Sequence, residues 1–172
     1  PWRGHVWDEL HLFLLESSVG NIMTLPGNYR ILKDRNCFFL TQDSCQRTQK
    51  TIYIDSSRPV NIQVGRFCFN MSFNLAKPSL SDNPAIEFID YTKLSGSLGL
   101  RRWRPGDRMV PLGMDGKKKV SDILVDEKVN RFSKENQFVL SSSNEIVWLC
   151  GLRIDERFKV RDTTTSVAKL NW

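Results

Sequence analysis

Residues 101–132 read RRWRPGDRMVPLGMDGKKKVSDILVDEKVNRF, and their pattern indicates the fold class of the second half of the chain. The Pro-Gly-Asp sequence at 105–107 is typical of a turn, and residues 98–103 before it predict a strand. Apolar residues at helical spacing then predict a short helix that ends near residue 127. Strand, turn and helix in such close succession predict a domain of mixed α and β structure.

The basic residues of the chain concentrate in the same stretch. The 172 residues include 25 Lys and Arg against 19 Asp and Glu, for a formal net charge of +6. Residues 101–119 hold seven basic and two acidic residues, which accounts for nearly the whole excess. Guanidinium groups suit phosphate because their planar fork of donors engages two oxygens, and lysine adds a point charge. The segment predicts an acidic partner, nucleic acid above all, with a solvated run of charges as the alternative.

Three lysines at 117–119 stand at the predicted start of the helix, directly after Gly116. The helix macrodipole disfavours cations at this end, whereas an anion there would be attracted both by the free backbone N–H groups and by the lysines. The sequence therefore predicts a helix start that receives phosphate. Asp107 is predicted to pair with a neighbouring arginine or to cap the turn.

Composition and motifs exclude several classes of protein. Hydrophobic residues make up 40% of the chain, and no apolar run is long enough to span a membrane, which excludes collagenous, fully disordered and membrane-spanning proteins. The nucleotide-binding glycine motifs, G-x-S-x-G and H-E-x-x-H are absent, and both histidines lie near the N-terminus. The cysteines form no C-x-x-C pair and are predicted to be buried free thiols in a reducing cytoplasm: Cys37, Cys45, Cys68 and Cys150.

The rest of the chain reads as one helix followed mostly by strands. Residues 6–15 repeat apolar residues at helical spacing, and later apolar runs are short and separated by turn residues. The predicted strands are 22–25, 29–33, 37–41, 51–54, 60–64, 67–73, 86–90, 138–140, 146–152 and 158–160. Two polar stretches, 43–50 and 77–84, are predicted loops. The expected fold class is α+β, with a β-rich part after the first helix.

The motifs of residues 101–132, together with EIVWLCGLRIDERFKV at 145–160, resemble the C-terminal domain of the bacterial tRNA(Ile)-lysidine synthase family. The shared pattern is R-x-R-x-G-D-R-x-x-P-L-G, then G-x-K-K, K-x-x-D-x-L and W-x-x-G-x-R-I-D-x-R, over about residues 98–162. The segment TLPGNYRILKDRNCFFL at 24–40 resembles the β-rich linker region of that family. Residues 6–15 resemble the end of its helical middle domain.

The resemblance implies three segments: the end of a helical middle domain (1–17), a β-rich linker subdomain (18–95) and a C-terminal tRNA-binding domain (96–172). The last of these is expected to be a three-layer α+β domain like the one shared with part of the phenylalanyl-tRNA synthetase β subunit. The family's ATP-pyrophosphatase domain carries an S-G-G-x-D-S loop that this sequence lacks. A piece of a longer enzyme is therefore expected.

The resemblance also implies a function. The full enzyme uses ATP and Mg²⁺ to attach lysine to the wobble cytidine of an isoleucine tRNA with a CAU anticodon, while the C-terminal domain docks the acceptor stem. No catalytic residue, metal or cofactor is expected in this fragment. The family often has Pro where this chain has Asn130, which affects only the expected loop conformation.

The basic residues of the matched segment are the candidate tRNA contacts: Arg101, Arg102, Arg104, Arg108, Lys117, Lys118, Lys119, Lys128 and Arg131. Alternation along a strand predicts that Arg102 and Arg104 share one face. Arg104, Arg108 and the lysines at 117–119 are the favoured members of this set.

Two alternatives to tRNA binding remain open. One is a free-standing ligase or hydrolase that uses the carboxylates of Asp122, Asp126 and Asp155. The other is a protein-interaction or homodimerisation module with tryptophans on its surface, where Trp103 and Trp172 are candidates. Trp148 is a third candidate, but its apolar neighbours predict a core position.

Overall fold

The computed structural model describes residues 2–42, 50–73 and 83–172. The helices there are α1 (Gly4–Glu16), α2 (Val120–Asp126) and α3 (Arg131–Glu135), with 3₁₀ helices at Tyr91–Lys93 and Glu156–Phe158. The strands are β1 (Ile22–Leu25), β2 (Tyr29–Asp34), β3 (Cys37–Gln42), β4 (Ile52–Ile54), β5 (Val60–Val64), β6 (Phe67–Phe73), β7 (Ile86–Asp90), β8 (Leu98–Arg102), β9 (Arg108–Met109), β10 (Lys118–Lys119), β11 (Phe138–Ser142), β12 (Glu145–Leu149), β13 (Arg153–Ile154) and β14 (Val167–Asn171). None of the helices in this described part is long and apolar enough to cross a membrane. The predicted loops at 43–50 and 77–84 lie almost wholly outside the described residues, as does Cys45.

The chain forms two compact units. The first contains Pro1–Thr48 and Lys128–Asn136, and the second contains Gln49–Glu127 and Gln137–Trp172. These boundaries differ from those of the three predicted segments, because strands before residue 95 pair with strands after it. Strand β4 pairs with β8, and β14 lies between β6 and β7. The three segments stay a prediction about the domains.

The first unit packs α1 against an antiparallel meander in the order β1-β2-β3. Val6 from the helix and Leu25 and Ile31 from the strands are buried together. The β1–β2 turn contains Gly27 and Asn28 at φ values of 82° and 62°, a left-handed backbone that these two residue types tolerate best. The predicted helix and meander are therefore confirmed.

The second unit is built on two antiparallel sheets and a short ribbon. The sheets have the orders β13-β12-β11-β8-β4 and β5-β6-β14-β7, and the ribbon consists of β9 and β10. Apolar side chains from both sheets form one core in which Phe69, Leu100, Trp148 and Leu170 are fully buried. Sheets combined with short helices confirm the α+β class, and Trp148 occupies the predicted core position.

Several elements in the C-terminal part differ from the prediction. The predicted strand 146–152 ends at Leu149, and a turn separates it from the unpredicted strand β13. Residues 158–160 do not form the predicted strand, because the Asp155 carboxylate accepts a hydrogen bond from the backbone N–H of Arg157 (3.0 Å) and caps the 3₁₀ helix at Glu156–Phe158. Helix α3 and strand β14 were not predicted. The side chain of Asn130 accepts a hydrogen bond from the backbone N–H of Ser133 at 2.9 Å and so begins α3.

Candidate nucleic-acid interface

The β9–β10 ribbon carries the basic segment of the second unit. Its two strands are antiparallel, with Arg108 opposite Lys119 and Met109 opposite Lys118. Met109 is fully buried and fixes the ribbon to the core, whereas Arg108 and Lys119 are exposed. The ribbon therefore presents cations on a backbone that the core holds in place.

The three lysines directly precede helix α2, whose N-cap is Lys119, and phosphate binding at this helix start stays a prediction. Helix α2 begins only at Val120, so the lysines at 117–119 lie in the preceding loop and in β10. The backbone N–H of Val120 donates to the Asp107 carbonyl at 2.9 Å, so this donor is already used. Three consecutive lysines carry no strand signal of their own, and β10 exists because it pairs with β9.

The turn before β9 is organised by Asp107. Its carboxylate accepts two hydrogen bonds from the Arg101 guanidinium (2.8 and 3.0 Å) and one from the backbone N–H of Arg104 (2.8 Å). The side chains of Arg101 and Asp107 expose only 12% and 14% of their surface. The prediction for Asp107 is confirmed, and Arg101 is a structural cation of this turn as well as a candidate contact.

The predicted shared face of Arg102 and Arg104 does not exist as a strand face. Strand β8 ends at Arg102, so the alternation of side chains does not extend to Arg104. The Arg102 guanidinium lies over the Phe138 ring, 5.7 Å from its centroid. Arg104 is exposed on the turn.

A buried carboxylate fixes the loop between β9 and β10. Asp155 is fully buried, and its two oxygens accept hydrogen bonds from the Arg157 guanidinium at 2.9 Å each. One of these oxygens also accepts from the backbone N–H of Val110 at 2.8 Å. The Arg157 guanidinium contacts Glu145 as well, and these carboxylates raise its pKa. We call Asp155, Arg157 and Val110 the loop clamp.

The loop beyond the clamp is a tight turn. The backbone N–H of Met114 donates to the Pro111 carbonyl at 2.9 Å, and Gly113 adopts a φ of 82°. The Gly113 N–H donates to the Glu156 carboxylate at 2.9 Å. This hydrogen bond and the contact with Lys159 hold the pKa of the Glu156 carboxyl below its usual value. The loop is thus fixed at both ends of the turn.

Four cations of this region have no charged partner. They are exposed, and within the described residues their side chains make no hydrogen bond or ion pair: Arg104, Arg108, Lys117 and Lys119. We call these four residues the basic ribbon. Arg108 and Lys119 lie on β9 and β10 themselves, and Arg104 and Lys117 lie in the segments that precede these strands. Lys118 differs from them because its ammonium group contacts the Asp126 carboxylate.

The profile of the TilS substrate C-terminal domain matches residues 98–172, which contain both the basic ribbon and the loop clamp. Residues 98–172 belong to the TilS C-terminal domain family. The chain also resembles a tRNA(Ile)-lysidine synthase of Parabacteroides distasonis, at 33% identity over 85% of this chain and 33% of that protein. A synthase of the same name from Clostridium tetani is 28% identical over 98% of this chain and 37% of its own length. The chain thus spans about a third of the length of these relatives.

A crystal structure of a TilS C-terminal domain has the same fold. It covers 91% of this chain and 92% of its own, with a TM-score of 0.52 and 19% sequence identity. The similarity extends beyond the 75 residues of the matched profile into the N-terminal half of this chain.

Two candidate contacts fall within the matched residues 98–172 but belong to the first compact unit. Lys128 and Arg131 belong to the first unit, where both are exposed. Arg35, which the sequence did not single out, donates to the backbone carbonyl of Lys128 at 3.2 Å. Asn130 caps α3 here, so the position at which the family often has Pro has a definite role in this chain.

The carboxylates of the enzyme alternative are engaged elsewhere in the TilS domain. Asp155 belongs to the loop clamp, Asp126 contacts Lys118, and Asp122 accepts a hydrogen bond from Ser121 at 3.0 Å. Across the described ranges, no three His, Cys, Asp or Glu side chains come together as a metal-binding group.

One tryptophan of the dimer alternative lies inside the protein, and the other two are half-buried. Trp148 is fully buried, and Trp172 stacks on Phe67 with ring centroids 5.0 Å apart. Trp103 is half-buried. A homodimer stays an untested prediction.

The cysteines that can be described are free thiols, as predicted, but only one is buried. Cys150 lies in the core, and burial raises the pKa of its thiol. Cys37 is exposed and Cys68 is half-buried, which differs from the predicted burial.

Proposed function

We propose that this chain is the tRNA-docking region of a tRNA(Ile)-lysidine synthase, and that the basic ribbon binds phosphate groups of the tRNA acceptor stem. The observation that carries the proposal is the difference in pairing among the cations. Arg101 and Arg157 are bound to carboxylates, whereas the four residues of the basic ribbon are exposed and have no acidic partner in the described residues. Unpaired cations on a fixed backbone are suited to external phosphate oxygens.

This surface is better suited to contacts with the backbone of a double-stranded RNA stem than to recognition of individual bases. Protein contacts to A-form RNA are mostly to phosphates and to 2′-hydroxyl groups across the shallow minor groove. The basic ribbon offers two ammonium groups and two guanidinium groups, which position a nucleic acid without reading its sequence. We therefore assign the ribbon to docking, and leave the chemistry to the remainder of the enzyme.

In this proposal the substrate is an isoleucine tRNA with a CAU anticodon, and the enzyme acts in the cytoplasm. The named relatives are tRNA(Ile)-lysidine synthases roughly three times as long as this chain, which supports a division of labour along the sequence. ATP and Mg²⁺ are assigned to the part with the S-G-G-x-D-S loop, which this sequence lacks.

The test is the salt dependence of tRNA binding to this chain. Replacing both Lys117→Glu and Lys119→Glu should weaken binding and flatten the plot of log K against log salt by about one unit or more, because fewer counterions are released. The control makes the same charge change at Arg58→Glu and Arg66→Glu, around β5, and should alter the slope far less. An unchanged slope in the lysine variant would reject the assignment.

Two further measurements address the alternatives. Incubation of the chain with ATP, lysine and tRNA should give no lysidine, and turnover would favour the enzyme alternative. Sedimentation of the chain alone should give a monomer whose mass increases with tRNA. A dimer that ignores tRNA would favour the protein-interaction module instead.

A further inference from the structure

Two cations of the basic ribbon face each other directly. Arg108 and Lys119 are register partners across β9 and β10, and both are exposed. Side chains directly opposite in an antiparallel pair have Cβ atoms about 5 Å apart, and like charges in such positions destabilise the pair. The ribbon therefore places a repulsive pair where an oppositely charged pair would have been stabilising.

Nothing in the described residues neutralises this pair. The adjacent carboxylate of Asp107 is occupied by Arg101 and by the backbone N–H of Arg104. The carboxylate at the far end of α2, Asp126, contacts Lys118 instead. Neither Arg108 nor Lys119 has an acidic group within ion-pair distance in the described part of the chain.

The two side chains are also held in register. Buried Met109 anchors β9, and Lys118 on β10 is fixed through Asp126. The hydrogen bond from Val120 N–H to the Asp107 carbonyl, at 2.9 Å, ties the end of β10 to the residue before β9. The backbone therefore cannot relieve the repulsion by separating the strands without losing these contacts.

We propose that Arg108 and Lys119 together bind a single phosphate group of the RNA backbone. The guanidinium can engage two oxygens of one phosphate while the ammonium group approaches from the opposite strand. The bound anion then supplies the negative charge that the ribbon lacks. This inference rests on the proposed tRNA-docking function and gives that surface a defined phosphate position.

The experiment compares Arg108→Gln, Lys119→Gln and the double variant in binding to an RNA duplex of about one helical turn. If the pair shares one phosphate, each single variant leaves that phosphate with one cation, and its log–log salt slope falls by less than one. The double variant should then lose about one unit of slope. Two independent contacts would instead give about one unit in each single variant and about two in the double variant, which would overturn the proposal.

A second measurement checks the repulsion in the absence of RNA. Each single variant should raise the urea midpoint of the free chain at low salt, and the gain should fade as salt screens the charges. Lys117→Gln is the matched control, because Lys117 lies outside the two-stranded pairing and should not raise the midpoint. A midpoint that falls in either single variant would contradict the proposal.

The outcomes distinguish failure of the tRNA-docking function from failure of the shared phosphate site. If the unaltered chain binds no duplex, the tRNA-docking function and the shared phosphate are both rejected. If the unaltered chain binds with a steep salt slope but the variants behave as independent contacts, only the shared phosphate is rejected.

Discussion

The loop clamp and the basic ribbon are neighbouring regions of the TilS domain that use the same residue types in opposite ways. In the clamp, a buried aspartate binds an arginine and a backbone N–H, and these charges are satisfied inside the protein. In the ribbon, exposed cations face each other without an acidic partner in the described residues. The pairing state of a cation, more than its presence in a basic segment, therefore distinguishes a structural residue from a candidate contact.

The largest effect is expected from breaking the clamp. Asp155→Asn removes the charge that binds Arg157 and weakens acceptance from the Val110 N–H. Loss of one partner of a buried pair costs about 3–5 kcal/mol, and since Arg157 is 35% exposed we expect about 2–4 kcal/mol here. Urea denaturation measures this change.

The control for the clamp is Glu145→Gln, which affects only the more exposed contact of Arg157. It should cost less than 1 kcal/mol, as expected for a surface pair. Equal losses in the two variants would show that burial does not distinguish the two contacts.

A sharper comparison comes from Asp107→Asn. This substitution adds one unit of positive charge next to the ribbon, so charge alone predicts tighter RNA binding. It also replaces one of the two carboxylate oxygens that hold Arg101 and the Arg104 N–H by an amide NH₂, at a cost of about 1–3 kcal/mol in the free energy of unfolding. We expect weaker binding at every salt concentration, measured by titration, and tighter binding would contradict the ordering role of Asp107.

A smaller change separates paired from unpaired arginines. Arg104→Gln should lower the log–log salt slope of RNA binding by about one unit and leave the urea midpoint unchanged, because its side chain has no partner in the described residues. Arg101→Gln should lower the urea midpoint through loss of the contact with Asp107. The interpretation fails if the two variants change stability equally.

The smallest expected effect is a pH dependence of the stability of the folded chain, which comes from Glu156 at the turn beyond the loop clamp. The Gly113 N–H and Lys159 lower the pKa of Glu156 in the folded chain, so its contribution to stability is present above the unfolded pKa near 4.5 and is lost as pH falls through the lower folded value. Glu156→Gln should therefore flatten the decline of the urea midpoint below about pH 4.5. The same decline in both proteins would exclude this contribution.

Local signals in the sequence were sufficient for many elements of the fold. The meander of the first unit is marked by Pro-Gly-Asn and Asp-Arg-Asn turns, which is why β1 to β3 were predicted within one residue. Helix α2 was predicted from its apolar spacing. Strand β14 was not predicted because its five residues follow a polar stretch and show too short an alternation of apolar and polar residues. These residues form a strand through pairing with β6 and β7.

The candidate site shows the same limit. The turn at Asp107 could be predicted because the partners of the Asp107 carboxylate lie within six residues in sequence. The clamp could not, since the Val110 N–H and Asp155 are 45 residues apart. The placement of Lys118 and Lys119 in a strand likewise depends on a partner strand, which composition does not reveal.

The central position of β14 has a consequence for how the protein is made. Strands β6 and β7 do not touch each other in the four-stranded sheet, because β14 fills the space between them. Since β14 follows β5, β6 and β7 in sequence, a ribosome has synthesised these three strands before the sheet can close. Until then, the edges of β6 and β7 are open to pairing with other chains. The order of the strands in the sequence therefore leaves these two edges without their partner until residues 167–171 emerge and insert.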